Sequence, residues 1–336
     1  MLDGISWIII VLVILSLMFD FINGFHDIAN SVATSVSTRV LTPKQAIVMA
    51  SILNFLGATM SSKVAKTISS GFIDSTKYGQ SIIIATLIAA ITWNLLTWYY
   101  AIPSSSSHAL IGGLLGAAIT FAGGFGNVQW NNIAMKVLVP LILAPILGLV
   151  MGYFLMNLFY EILRPFSQRL VNKWFSKLQI LSAAFMAFSH GSNDAQKSMG
   201  IITLGLISGG LLPIDADVPA WVVVSCATAM AIGTSVGGYK IIKTIGMNMI
   251  KLQPVGGFTA QTGAALVIEA MTFFGSPVST THVISSSIMG VGAAKRISAV
   301  RWTIARNILW AWGLTIPITA FLGATIALIM KHIIQI

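Results

Sequence analysis

The sequence predicts an all-α polytopic membrane protein, with about 10–12 transmembrane or re-entrant helices in two inverted-topology repeats and helices broken near the midplane. Three observations support this fold class. Of the 336 residues, 56% are hydrophobic and 8% are charged, and the mean hydropathy is +0.88. Apolar runs long enough to cross a hydrocarbon core of about 30 Å cover most of the chain. A polar block, Phe21 to Ser31, lies at the end of one run and returns in altered form from Phe188 to Ser198.

The predicted membrane segments follow from these apolar runs. We place five in each half of the chain, at 5–36, 45–62, 80–101, 103–122 and 134–160, then at 180–206, 220–239, 255–275, 277–292 and 303–330. An odd number of crossings per half makes the second half enter the bilayer in the opposite sense, so that the repeat is inverted. The first segment of each half is too long for one straight crossing. We expect these two helices to break at Gly24 and Gly191.

Basic residues between the segments set the predicted orientation. Four of them crowd the central connection: Arg164, Arg169, Lys173 and Lys177. Cytoplasmic loops of membrane proteins carry an excess of Lys and Arg, so we expect this connection inside and both termini outside. The chain is then divided into a first repeat, a basic cytoplasmic amphipathic linker and a second repeat, at 1–160, 161–179 and 180–336.

Two further motifs occur twice, in the same order as the polar blocks. Lys63 to Ile68 returns as Lys240 to Ile245, and Pro103 to His108 returns as Pro277 to His282. Three pairs at nearly constant spacing indicate a duplicated chain. Because related halves of transporters often share one central site, we expect the paired motifs to meet.

The two polar blocks predict a site for a coupling cation or a proton. Polar side chains are costly in hydrocarbon, and hard cations prefer oxygen ligands. The candidates are Asp27, Asn30, Ser31, Asp194 and Ser198. The alternative is that these side chains cap helix ends, as Asp, Asn and Ser often do. The acid at the matching position of both blocks favours the site.

The Pro-Ser/Thr-His blocks predict a cradle for an oxyanion. We expect Pro103 and Pro277 to open helices at their first turns, where backbone N–H groups and hydroxyls attract an anion. The hydroxyl donors are Ser104, Ser105, Ser106, Ser107, Ser279, Thr280 and Thr281. A serine nucleophile with a histidine base is the enzymatic alternative, but no acidic residue that could orient the base is nearby in sequence, so we expect no enzyme. His108 and His282 either support the cradle or pack the core.

These motifs resemble the inorganic phosphate transporter family, PiT, of the bacterial low-affinity permease type. The pattern Gly-x-x-Asp-x-x-Asn from Gly24 to Asn30, its relative from Gly191 to Lys197, both Ser/Thr blocks and the segment Gly71 to Asp74 follow the family's order over nearly the whole chain. The resemblance implies a secondary transporter, often dimeric, that carries orthophosphate with a coupling cation. It also implies that the signature blocks hold cation and phosphate, which adds Asn193 and Lys197 to the phosphate-binding candidates.

Departures from the family's signature bear on the coupling ion. His26 and Lys197 stand where the family has Asn, and Asn54 where it has Glu. A lysine ammonium can replace a bound monovalent cation, so Lys197 favours protons over sodium. The alternatives for Lys197 are contact with phosphate and extension to the membrane face. His26, His190 and Glu269 are further candidates to support the site. Glu269 is either a proton carrier or an acid buried against a helix end.

The expected function is import of inorganic phosphate across a cell membrane by alternating access, coupled to protons. Sodium coupling, or transport of sulfate or another oxyanion, is the alternative. We expect no cofactor and no certain metal site, although a divalent metal could travel with phosphate. No Gly-x-x-x-x-Gly-Lys-Ser/Thr motif is present for direct use of ATP. The expected partners are phosphate, lipid and a second copy of the chain. The net charge is +10, but the basic residues lie between the membrane segments, so no nucleic acid is expected.

Overall fold

The structure, a computed structural model, describes residues 7–70, 79–127, 130–237 and 252–333, and these residues form helices and no β-strand. The helices are α1 Trp7–Ser37, α2 Pro43–Thr59, α3 Lys63–Ser69, α4 Gly79–Tyr99, α5 Ser106–Ala122, α6 Trp130–Ile133, α7 Val139–Leu163, α8 Gln168–Ser208, α9 Ala220–Val236, α10 Pro254–Phe273, α11 Thr280–Lys295 and α12 Trp302–Ile333. The predicted all-α fold is confirmed. The motifs at Gly71 to Asp74 and Lys240 to Ile245 lie outside the described residues.

Several helices have the length and composition of membrane spans. Four segments qualify individually: Trp7–Ser37, Gly79–Tyr99, Ala134–Leu163 and Ala305–His332. The helices α2 and α3 qualify together, and their axes differ by 63° across the break between them. The helices α5 and α9 are apolar but shorter. The described chain is therefore a polytopic membrane protein, as predicted.

The helices α1 and α8 continue through the two glycines at which we expected a break. Both glycines serve helix packing instead. A Cβ on Gly24 would lie 2.3 Å from the carbonyl oxygen of Met230 in α9, and one on Gly191 would lie 2.1 Å from that of Asn54 in α2. Small residues let membrane helices approach closely. The chain bends between α2 and α3, whereas α1 and α8 are continuous at Gly24 and Gly191.

The two halves of the chain are interleaved. The first helix of each half packs on the second helix of the other, α1 on α9 and α8 on α2. Two further helix pairs also join the halves, because α5 packs on α12 and α11 packs on α7. There a Cβ on Gly116 would lie 1.9 Å from the carbonyl oxygen of Ala320, and one on Gly290 would lie 2.1 Å from that of Leu149. Each half therefore supplies the packing surface that the other half needs.

The predicted linker at 161–179 is part of the helical framework. The helix α7 extends to Leu163, and α8 begins at Gln168, so the connection between the halves is short. The start of α8 is fixed by Phe175, whose ring lies 5.5 Å from that of Phe159 and 5.3 Å from that of Phe258. The repeat boundaries and the cytoplasmic position of this segment stay predictions.

Candidate functional site

The first turns of α5 and α11 are fixed by serine caps. Ser105 Oγ accepts a hydrogen bond from the backbone N–H of His108 at 3.2 Å, and Ser279 Oγ accepts one from that of His282 at 3.3 Å. Each cap satisfies one of the free N–H groups at a helix start. Pro103 and Pro277 precede the caps by two residues, so they do not open the helices as we expected. Each helix instead starts after its capping serine, whose hydroxyl accepts the backbone N–H hydrogen bond.

Asp27 of α1 contacts both Ser/Thr blocks. Its Oδ2 accepts a hydrogen bond from Ser106 Oγ at 3.2 Å, and its Oδ1 accepts one from Thr281 Oγ1 at 3.3 Å. One turn further along α1, Asn30 Nδ2 donates to Thr280 Oγ1 at 3.3 Å and to Thr281 Oγ1 at 2.9 Å. All five side chains are buried. The structure therefore brings the first polar block against the start of α11, which belongs to the other half.

Asp194 and Lys197 of α8 form the matching part of the site. Asp194 Oδ2 accepts a hydrogen bond from Thr280 Oγ1 at 3.0 Å, and its Oδ1 forms an ion pair with Lys197 Nζ. The same ammonium donates to Ser107 Oγ and, at 2.8 Å, to the carbonyl oxygen of Val278. The start of α5 thus contacts the second polar block, and the two halves meet in one polar centre.

Lys197 fills its hydrogen-bonding capacity inside this centre. Its ammonium has three N–H donors, and three oxygen atoms accept from it. The side chain is 2% exposed. A lysine that extended to the membrane face would leave its charged end in water. The structure therefore excludes this alternative and leaves an ammonium held at the centre.

A histidine on α1 and one on α8 each contact the acid of their own block. His26 Nδ1 lies 2.7 Å from Asp27 Oδ1, and His190 Nε2 lies 3.2 Å from Asp194 Oδ2. The other ring nitrogens are also held: His26 Nε2 lies 3.1 Å from Thr97 Oγ1, which accepts a 2.8 Å hydrogen bond from Ser104. His190 Nδ1 lies 3.1 Å from the side-chain oxygen of Asn54 in α2. These contacts fix both rings against the acids.

Asn193 connects α8 to the extended segment before α11. Its Nδ2 donates to Thr272 Oγ1 at 2.8 Å and to the carbonyl oxygen of Ser276 at 3.3 Å, and its Oδ1 accepts from the N–H of Val278 at 3.2 Å. Its amide is therefore occupied in positioning the segment that carries Ser279. The predicted contact of Asn193 with phosphate would require these bonds to be exchanged.

Three predicted residues make no hydrogen bond to the polar centre among the described residues. Ser31 Oγ has no hydrogen-bond partner among the described residues. Ser198 Oγ donates to Asp20 Oδ1 at 2.7 Å, one turn beyond the centre along α8. Glu269 of α10 is half-buried beside Ser189 and Ser192 of α8.

The histidines that end the two Pro-Ser/Thr-His blocks pack against each other. The rings of His108 and His282 lie 4.3 Å apart, and the ring of His282 stacks on that of Trp312 at 3.7 Å. His108 Nδ1 also lies 2.9 Å from Ser105 Oγ, its own helix cap. This arrangement supports the packing alternative of the sequence analysis while it joins the starts of α5 and α11.

Three further polar residues with structural roles were not predicted from the sequence: Asp20, Thr97 and Gln196. Asp20 is a fully buried acid, and an acidic residue within an apolar run is a signal that could have found it. Gln196 Oε1 accepts hydrogen bonds from the N–H groups of Val64 at 2.8 Å and Ala65 at 3.2 Å, and so caps α3. No sequence signal separates Thr97 or Gln196 from other polar residues in apolar helices.

Three buried side chains of the centre could also hold a metal ion. The ligand atoms of Asp27, His190 and Asp194 all lie within 4.8 Å of one another. Carboxylate and imidazole ligands suit a divalent cation. The ammonium of Lys197 already contacts one oxygen of Asp194, so a metal would compete with this lysine for the acid.

An all-helical membrane protein whose interleaved halves enclose acids, hydroxyls and an ammonium has the architecture of a membrane transport protein. The chain belongs to the phosphate transporter family, whose model matches residues 23–171 and 162–323. A probable low-affinity inorganic phosphate transporter of Bacillus subtilis (strain 168) is 49% identical over 326 residues, which are 96% of this chain and 97% of that protein. One of Rhizobium meliloti (strain 1021) is 45% identical over 314 residues, 93% of each chain.

A solved structure described as the sodium-dependent phosphate transporter has the same fold. It matches 98% of this chain and 100% of its own, with a TM-score of 0.87 and 24% sequence identity. At this identity the likeness concerns the fold, and the coupling ion of this chain has to be argued from its own residues.

Proposed function

We propose that this protein imports inorganic phosphate by alternating access and couples the import to protons. The observation that carries the coupling ion is the position of Lys197. Its buried ammonium contacts a carboxylate, a hydroxyl and a carbonyl oxygen, the ligand types that a sodium ion would need. A fixed positive charge among these oxygens repels a second monovalent cation. This half of the site is therefore closed to sodium.

The starts of α5 and α11 support an anion site beside Lys197. Ser106 and Ser107 are the first two residues of α5, and Thr280 and Thr281 are the first two of α11. Free N–H groups and the helix dipole favour negative charge at these positions. A tetrahedral oxyanion between the two helix starts would find donors from both halves. The positive charge of Lys197 would attract it, although a direct hydrogen bond to the ammonium would require one of its three present bonds to be exchanged.

Competition for hydroxyl donors explains why phosphate would bind together with a proton. Ser106, Thr280 and Thr281 donate to the carboxylates of Asp27 and Asp194. If phosphate takes these donors, the carboxylates lose their partners in a water-poor environment, which is costly. The P–OH group of HPO4²⁻ or H2PO4⁻ can donate to such a carboxylate in place of the lost hydroxyl. Sulfate has no proton at neutral pH with which to form this bond, so the centre favours phosphate.

Metal-bound phosphate is a second candidate cargo. The cluster of Asp27, His190 and Asp194 supports it, because a divalent cation held there would neutralise part of the phosphate charge. The metal would be transported with the phosphate and would not be a resident cofactor.

The experiment is uptake of labelled phosphate by the purified protein in liposomes, with pH and sodium gradients imposed separately. We expect an acidic exterior to drive accumulation, a sodium gradient to have no effect, and sulfate to compete weakly. Repeating the assay with chelator and with Mg²⁺ tests the metal-bound cargo, which requires phosphate uptake to depend on the metal. Uptake under neither gradient would refute phosphate import, and a response to sodium alone would refute proton coupling.

We also propose the cell membrane as the location, with the start of α8 on the cytoplasmic side. The four basic residues of the central connection are exposed there. At about 1.5 Å per residue, α8 is long enough to cross the membrane, so the loop after its C-terminus lies on the other side. In that loop Asp217 pairs with Lys66 of α3, and both are exposed. Assembly as a homodimer stays a prediction.

A further inference from the structure

Asp20 is a buried acid of α1 that the proposed phosphate site does not use. Its Oδ1 accepts one hydrogen bond, from Ser198 Oγ at 2.7 Å, and its Oδ2 has no partner among the described residues. The residue is fully buried. It precedes Asp27 by about two turns, or roughly 10 Å, on the same helix. Asp20 therefore lies near the polar centre but outside it.

Within the described part of the chain, the groups that face Asp20 carry no compensating charge in direct contact with it. Ser198 comes from α8 and the buried thiol of Cys226 from α9. On α1, Asn23 lies one turn further, and both polar atoms of its buried amide lack partners among the residues that the structure describes. Lys197 and Asp194 act on Asp20 through their fields, with opposite signs. An ionised carboxylate in such surroundings would be poorly stabilised, whereas a protonated carboxyl group fits them.

We propose that Asp20 binds the proton that is transported with phosphate, at a site separate from the anion cradle. This proposal rests on proton coupling as the proposed function. A proton from the outer solution would bind the carboxylate of Asp20 while phosphate enters the cradle. After the halves move, the O–H bond of the carboxyl group breaks and the proton passes to water on the inner side.

The connection between Asp20 and the cradle runs through α8. Ser198, the hydrogen-bond partner of Asp20, directly follows Lys197 and lies one turn after Asp194. A displacement of α8 relative to α1 that opens the cradle therefore also changes the contact between Ser198 and Asp20. Binding of the anion and binding of the proton are therefore linked through α8.

The test separates net uptake from exchange in liposomes. Asp20→Asn keeps the size of the side chain and removes the proton site. Net phosphate uptake driven by an acidic exterior should fall to the rate seen without a gradient. Exchange of labelled for unlabelled phosphate should continue, because the loaded carrier can exchange without releasing a proton. Asp20→Glu should retain acid-driven uptake. The control is Ser16→Ala, one turn earlier, whose hydroxyl donates to the carbonyl oxygen of Leu12 in its own helix at 2.8 Å.

Results other than these would contradict either the role of Asp20 or proton coupling itself. Acid-driven uptake by Asp20→Asn at the wild-type rate would overturn the role of Asp20. Loss of a sodium-driven uptake in this variant would make Asp20 a sodium ligand and overturn it as well. If the wild-type protein shows no acid-driven uptake, proton coupling itself fails. Infrared spectroscopy then still reports on Asp20: the C=O band of a protonated carboxyl group should be present in the wild type, shifted in Asp20→Glu and absent in Asp20→Asn, and absence in the wild type would contradict the proposal.

Discussion

Lys197 is the residue on which the proposed coupling ion depends. Its ammonium is placed among oxygen atoms from α8, from the start of α5 and from the segment before α11. The contact with Asp194 is a buried ion pair, and removing one partner of such a pair leaves an uncompensated charge. Lys197 therefore places a positive charge at a position where the resemblance to the PiT family implies the amide of Asn, and the proposed coupling to protons rests on this charge.

Replacing Lys197 with Asn should therefore change the coupling ion. The variant restores an amide oxygen and leaves Asp194 without its cation, so we expect a sodium gradient to stimulate phosphate uptake that it did not stimulate before. The measurement is uptake in liposomes under separate sodium and pH gradients. Lys177→Asn, on the exposed start of the same helix, is the matched control. Unchanged coupling and phosphate affinity would show that Lys197 has no part in either.

A double variant separates coupling from folding. Lys197→Asn alone should cost about 3–5 kcal/mol of stability, because Asp194 stays buried and charged. Adding Asp194→Asn should recover most of this loss and abolish the new response to sodium. Thermal unfolding in detergent reports the first effect and uptake reports the second.

At the scale of helices, the sequence does not show whether a glycine interrupts a helix or allows two helices to cross closely. Most helix bounds could be predicted to within a few residues, because apolar runs mark them. The start of α8 could not, since this helix begins at Gln168 in the basic segment that was predicted to be a linker, twelve residues before the predicted start at 180. The break at Gly24 and Gly191 could not be excluded, since a glycine beside Asp and Asn fits an interrupted helix as well as a close crossing. Only the facing backbones of α9 and α2 distinguish the two.

The same limit applies to the candidate site. Asp27, Asn30, Asp194 and Lys197 meet the starts of α5 and α11 as the paired motifs predicted. Ser198 lies one turn beyond Asp194 on α8 and contacts Asp20 instead. The first turns of α5 and α11 form the polar centre, so the centre extends along only about one turn of α8. Helical spacing shows which residues share a face, but not how far along that face a neighbouring helix end reaches.

Filling a crossing glycine should destabilise the protein. In Gly191→Ala the new Cβ would meet the backbone oxygen of Asn54 at 2.1 Å, so α2 and α8 must separate. We expect a loss of about 1–3 kcal/mol, typical of overpacking, and a similar loss for Gly24→Ala at the related crossing. Gly313→Ala in α12 is the control, because no atom lies within 4 Å of its Cβ position. Melting temperatures in detergent provide the comparison, and equal stability of all three variants would refute the packing role.

At the scale of the whole molecule, the interleaving of the halves makes them one folding unit. The crossings of α1 with α9, of α2 with α8, of α5 with α12 and of α7 with α11 all join different halves. The polar centre depends on the same exchange, since Asp27 of the first half accepts a hydrogen bond from Thr281 of the second. Neither half can complete its own packing or its own site.

Two fragments divided at the connection between α7 and α8 should therefore assemble only together. The residues at this connection, 164–167, are exposed, so cutting there removes chain continuity without removing a buried contact. We expect residues 1–165 and 166–336 to co-purify when expressed together and to restore phosphate uptake, whereas each fragment alone aggregates or is degraded because its crossing glycines face no partner. Gly191→Ala in the second fragment should weaken the association, while Gly313→Ala should leave it unchanged. A single half that purified as a stable monomer would contradict the interleaved arrangement as the source of stability.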